Sequence, residues 1–245
     1  MRRLVLVLLL LPAVSRLHAQ EDEVATNASV GLSSRRVFRG VEQAGPSVTG
    51  AFQVARDNWR LGAEIGHPFD RDEPGEGNLT AAYLWKVTKQ FKLEAIVTPR
   101  WSIDPLPGAT KHSFEAGVSA AWELPSGLKI ELAGFHDWRL KADTLQATVN
   151  YSQPLKSLGA YLEWSASIGT SSARDLRPDA VGAPIRDSYS YYSASVRLPY
   201  RISSRSTLVG GLHVAESGNQ SRFWSPISAS GRFQVWFDLG LSVDF

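Results

Sequence analysis

The stretch FQVWFDLGLSVDF, residues 233–245, closes the chain. Every second residue in it is apolar: Phe233, Val235, Phe237, Leu239, Leu241, Val243 and Phe245. Between them stand Gln234, Trp236, Asp238, Gly240, Ser242 and Asp244. A period of two means a strand lying between two different environments. A soluble sandwich turns the oily face inward. A membrane barrel turns it outward, toward lipid. One strand does not choose between them, but the rest of the chain does.

The same alternation recurs in twelve segments, at 24–34, 47–55, 59–66, 78–87, 91–101, 113–124, 128–138, 144–153, 158–168, 189–200, 206–215 and 233–245. Most are close to the roughly 9–11 residues that a tilted strand needs to cross a bilayer. Segment 113–124 sets Phe114, Ala116, Val118, Ala120 and Trp122 against Ser113, Glu115, Gly117, Ser119 and Glu123. Gly210 and Gly211 make segment 206–215 the weakest, so ten strands is the alternative count.

The connections alternate too. RDN at 56–58, TKQ at 88–90, PSG at 125–127, PLKS at 154–157 and RISS at 201–204 are tight. Most of the others are long and polar, the longest at 169–188 and 216–232. Short turns at one end and long loops at the other are the habit of outer-membrane barrels, and a sandwich has no reason for it. Trp59, Trp85, Phe91, Trp122, Tyr151 and Tyr200 fall near the short-turn ends of their segments, Trp101 and Trp138 near the long-loop ends. All lie in the oily phase, as two aromatic girdles require. These three signals predict a single closed antiparallel transmembrane β-barrel of about twelve strands.

The first residues indicate the compartment. Arg2 and Arg3 precede an apolar run from Leu4 to Leu11, and a short polar stretch ends at Ala19. Residues 1–20 thus read as a secretory signal peptide cleaved after Ala19, leaving the barrel as 21–245. Removing Arg2, Arg3 and Arg16 lowers the 26 basic residues to 23, against 24 acidic ones. No basic excess remains to suggest nucleic acid. The chain has no cysteine, which excludes disulfides and zinc–thiolate sites.

The stretch ASVGLSSRRVFRGVEQAGPSVTGAFQV, from Ala28 to Val54, resembles the start of the TorF family of porins. The matching residues are Phe38, Arg39, Gly40, Val41, Gln43 and Pro46. Arg36 and Glu42 depart from the pattern, which has an aromatic and a small hydroxyl residue there. The terminal Phe245 likewise resembles the C-terminal assembly signal that the periplasmic insertion machinery reads. The resemblance implies a bacterial outer-membrane barrel with a porin-like role and no defined substrate.

With the oily phase against lipid, the other phase lines the lumen. There stand Arg60, Glu64, Lys86, Glu94, Arg100, Glu115, Glu131, Glu163, Arg197 and Asp238, together with Lys92, Glu123, Lys129 and Asp137. These are six basic and eight acidic residues, so weak selectivity is expected, mildly for cations. The same charges are also able to pair across a narrow interior and plug it, so open pore and packed lumen both stand. Of the long loops, 169–188 or 216–232 is the candidate to fold inward and narrow the pore, or to bind at the rim through FWSP at 223–226.

Enzymatic readings find little support. His112 beside Ser113, and His136 beside Asp137, point to opposite faces of their strands. His67, His112, His136 and His213 are scattered, with no metal-ligand spacing. The expectation is an outer-membrane channel for passive diffusion of small hydrophilic solutes, with no cofactor and no metal. Its partners are the membrane lipid, the assembly machinery and the solute. The alternatives are a blocked-lumen structural or adhesive barrel and, behind it, a lipid-modifying rim enzyme.

Overall fold

The computed structural model describes residues 24–104, 111–155, 160–175, 183–184, 186–218 and 233–245. The expected leader at 1–20, the FWSP stretch, most of loop 216–232 and part of loop 169–188 lie outside the described residues.

Among the described residues there are fourteen strands: β1 Ala25–Ser33, β2 Arg36–Phe38, β3 Val41–Ala44, β4 Ser47–Arg56, β5 Trp59–Pro68, β6 Gly75–Lys86, β7 Phe91–Ile103, β8 His112–Glu123, β9 Leu128–Asp137, β10 Ala142–Leu155, β11 Ala160–Ala173, β12 Asp187–Arg201, β13 Ser206–Ser217 and β14 Phe233–Asp244. Twelve of them, β1 and β4–β14, form one closed barrel, while β2 and β3 pair separately as a hairpin. All pairings are antiparallel, and β14 returns to β1 in a ladder from Asn27↔Asp244 to Ser33↔Asp238. Phe245 extends the seam, its backbone N–H donating to the Thr26 carbonyl at 3.0 Å. The Asn27 amide reinforces it by donating to Ser242 Oγ and Asp244 Oδ1, each at 2.7 Å. The twelve-strand count holds because β13 pairs without interruption with both neighbours through Gly210 and Gly211.

Faces are assigned as the alternation predicts. Val118, Leu132, Leu145, Ile168, Phe237 and Leu239 are at least half exposed on the outer surface. Their strand neighbours Glu115, Ala121, Ala133 and Gln234 are buried inside. At the short-turn end Trp59, Tyr83 and Trp85 pack edge to face on the outer surface, with centroids 4.8 and 4.7 Å apart. Phe114 and Trp138 pair at the opposite rim, 5.3 Å apart.

Several strands run further than the alternation marks. β11 continues past 168 to Ala173, and β10 spans 142–155 rather than 144–153. The apolar period reports only the stretch in contact with lipid. Above it Thr170, Ser172, Ser188 and Ser190 occupy the outward phase, and the backbone ladder carries on among polar side chains.

Arginine placed on the lipid face near mid-bilayer costs a barrel about 2–4 kcal/mol, whereas lumen positions do not carry this penalty. Val118→Arg therefore lowers the unfolding free energy of vesicle-reconstituted protein by about that amount. Ser119→Arg, one residue along and facing inward, costs clearly less. Urea titration followed by heat-modifiable gel mobility measures both.

Candidate functional site

The β2–β3 hairpin is the connection between β1 and β4, which still pair directly up to Ser33↔Ser47. It leaves the barrel wall at the long-loop end and folds into the lumen. Its contacts prove the position, because they reach strands all round the barrel. Arg36 binds Glu76 on β6 at 2.6 Å. Arg39 binds Glu115 on β8 and Thr144 on β10. Gly40 lies against Tyr191 of β12 and the Glu216 carbonyl of β13. Val41 is buried with Leu140, Ala142, Ala173, Tyr189 and Tyr191.

Local sequence explains the turn. Phe38 pairs with Val41, leaving Arg39 and Gly40 as its two central residues. Both have positive φ, 50° and 76°. That is the pattern of a type I′ hairpin turn, whose twist matches its flanking strands. Glycine suits the second position for a further reason. A Cβ on Gly40 would sit 2.7 Å from the Tyr191 Cβ, closer than carbon atoms pack. Arg39 bears a cost of about 1–2 kcal/mol in this conformation, offset by what its side chain reaches.

That side chain ends in a dense cluster of charged and aromatic groups. Its guanidinium grips Glu115 with two bonds, 2.7 and 3.0 Å, and touches Thr144 Oγ1 at 3.3 Å. It also lies over the rings of Phe38 and Phe135, at 4.6 and 4.8 Å. Arg100 approaches the same carboxylate at 3.2 Å and covers Phe38 at 4.5 Å. Glu115 is thus held between two guanidiniums, and Phe38 is flanked by them. The Arg39 and Glu115 side chains are only 9% and 6% exposed. Removing one partner of so buried a pair costs about 3–5 kcal/mol, because a charge is stranded. Asp137, also buried, caps the neighbouring turn by accepting from the Arg139 and Leu140 N–H groups at 2.9 Å.

The other residues expected on the lumen face fall in two groups. Arg60 pairs with Glu94 at 2.7 Å, and Lys92 with Glu123 at 2.7 Å. Lys129 pairs with Glu131 at 2.9 Å, and Asp238 meets His213 at 3.2 Å. Glu64 has Arg36, Glu76 and Arg100 as its charged neighbours. Glu163 and Arg197 face each other in register on β11 and β12. Lys86 sits exposed at the short-turn mouth. Gln43 lies half-buried on β3. The ion pairs crowd the β5–β9 side. Next to them, among the described residues, a cavity of about 480 Å³ is bordered by Ser29, Thr49, Glu64, Arg197 and Asp238.

The loops at 169–188 and 216–232, one of which is expected to narrow the pore, fall partly or mostly outside the described residues. Among the described residues it is the segment 34–46 that enters the lumen, and Arg36, Arg39 and Glu76 join the set of inward charges. A clue was available in the sequence. The strand faces carry two more acids than bases, and three arginines stand in the first loop against one glutamate, Glu42. His136 does not meet its neighbour Asp137, as strand geometry requires. It faces outward and bonds Asp143 at 2.7 Å, with Trp138 against its ring. Among the described residues no group of histidine and acidic side chains could hold a metal.

No family model and no curated sequence matches this chain. Solved structures do. The chain resembles the KdgM porin at 10% identity and a TM-score of 0.54, over 90% of this chain and 99% of that one. It resembles the NanC porin at 9% identity and 0.57, over 89% and 100%. It resembles an outer membrane channel from Pseudomonas putida F1 at 10% identity and 0.57, over 94% and 98%. At such identities the likeness establishes the fold, which is that of bacterial outer-membrane barrels, and the apolar exterior fits that membrane.

Because the chain lacks cysteine, Val41→Cys is a clean reporter of the hairpin. In the parent barrel this thiol is shielded from a membrane-impermeant maleimide. Adding Glu115→Ala strands Arg39 and Arg100 beside each other, and labelling accelerates at least tenfold while heat-modifiable folding persists.

Proposed function

We propose that this protein is an outer-membrane channel through which small hydrophilic solutes diffuse passively, and that the inward hairpin sets its width. The observation that carries the reading is the pairing of a fixed constriction with open space beside it. The hairpin is anchored on one side by Arg39 and Glu115, while the β11–β14 wall beneath it leaves a path. A barrel of twelve strands lies between the eight-stranded barrels, which side chains fill, and the sixteen-stranded porins, which hold an aqueous channel. An ordered segment in the lumen is a means of narrowing it.

The residues shared with TorF family porins support the same reading. Phe38, Arg39 and Gly40 build the turn and its anchor, so the motif describes the constriction itself. The charges of Arg60, Glu64, Glu94, Arg100, Glu131, Glu163, Arg197 and Asp238 line the passage in this proposal. Most are neutralised by a neighbour, which leaves no field of one sign and little preference between cation and anion. Phe245 acts as the recognition element for the insertion machinery, and its bond to Thr26 then completes the seam.

The second reading, a blocked barrel working through its outer loops, rests on the same hairpin. Planar-bilayer recording separates the two. The parent protein is expected to show small, stable conductance steps. Replacing residues 35–45 by a short turn between the paired ends of β1 and β4 is expected to enlarge the steps several-fold. Silence from the parent with conduction by the shortened variant would establish the blocked barrel. Silence from both, with intact folding, would remove the channel altogether. In a KCl gradient the reversal potential of the parent lies close to zero.

A further inference from the structure

Building on the channel reading, we propose that the wall beneath the hairpin carries a binding site for an uncharged polyhydroxylated solute of the monosaccharide class. A cavity of about 110 Å³ lies directly under the turn, roofed by Val37, Arg39 and Gly40. Its walls are Ser165, Ser193, Ser195, His213 and Trp236. Four of these form one row across adjacent strands, since Ser165 is in register with Ser195, Ser195 with His213, and His213 with Trp236. Neighbouring strands are about 4.8 Å apart, so the row presents hydrogen-bonding groups at the spacing of alternate hydroxyls on a sugar ring. The row ends on an indole, backed by the His213 ring stacked at 5.1 Å and 11°. An indole offers the apolar surface that the C–H face of a sugar needs, and its N–H is a donor.

The state of the hydroxyls supports the assignment. Higher on the same wall the polar groups are engaged with one another. Thr144 bonds Ser171, Thr148 bonds Ser167, and the Tyr191 hydroxyl bonds Gln146. Ser165, Ser193 and Ser195 have no such partner among the described residues, and they face the cavity. The charged groups beside it already have close neighbours, Arg39 in Glu115 and Asp238 in the His213 ring at 3.2 Å. An anion would have to compete with Glu115 for Arg39, and a cation with His213 for Asp238. A neutral polyol displaces neither.

The test is glucose added to the full-length protein in a bilayer, with glucuronate as the anionic and glycine as the zwitterionic comparison. Glucose is expected to interrupt the KCl current, and the comparisons to do so at least tenfold less effectively. Ser165→Ala with Ser195→Ala removes two neutral hydrogen bonds and is expected to weaken the block about tenfold. Trp236→Ala should abolish it, and Trp236→Phe should restore part of it. Equal block of the parent and the serine variant, or equal action by glucuronate, would overturn the site while leaving the channel intact. If the parent carries no current, the channel reading falls by itself. Calorimetric titration of glucose into folded parent and serine variant then decides the site, with heat in the parent alone as the supporting result.

Discussion

Hydrocarbon offers no partner to a backbone amide, and this constraint organises the whole molecule. Each N–H and C=O in the membrane-crossing part must find another strand, so the sheet has to close. β14 meeting β1 is therefore what makes the other eleven pairings compatible with lipid. Closure explains why the outer surface is free to be apolar where it meets lipid, and why polar residues at that depth have one place to go. Every second side chain is delivered to a common interior. There the problem reverses, because charges brought within a few ångströms of one another have to be neutralised.

The first loop solves part of that problem. Strands β8 and β9 bring the buried acids Glu115 and Asp137 to one region of the interior. Arg100 supplies one counter-charge from the wall, and the hairpin supplies a second through Arg39. The anchoring cluster also contains Phe38 and Phe135, so packing and electrostatics hold the hairpin together. One side of the lumen is consequently dense with ion pairs, and the opposite side keeps hydroxyl groups, glycine and space. In the channel proposed above, the two halves of the interior have different work: one holds the hairpin, the other leaves the route beside it.

Much of this was legible in the sequence, and the limits of legibility are physical. Alternation such as Leu239-Gly240-Leu241-Ser242 reports the polarity on either side of a strand, which is a local property and needs no knowledge of partners. Strand number, face assignment and the girdle residues followed from it. The hairpin did not follow, because Arg39 and Glu115 are 76 residues apart and Arg39 and Thr144 are 105 apart. A polar segment between two strands looks the same whether it projects into water or folds back into a polar interior. The charged residues on the lumen face were identified as a set, yet their pairing was not, since pairing depends on the register between strands.

The position of the hairpin also has a consequence for how the protein is made. It emerges between the first two wall strands in chain order, while its anchoring residues lie on β6, β8, β10 and β12. Those strands must be synthesised, delivered and curled into place before Glu115 and Tyr191 stand where Arg39 and Gly40 meet them. The packed position of the hairpin is thus completed only after those strands are in place, although the hairpin is encoded among the first residues. Until those strands stand together, the contacts that hold the hairpin inside do not exist.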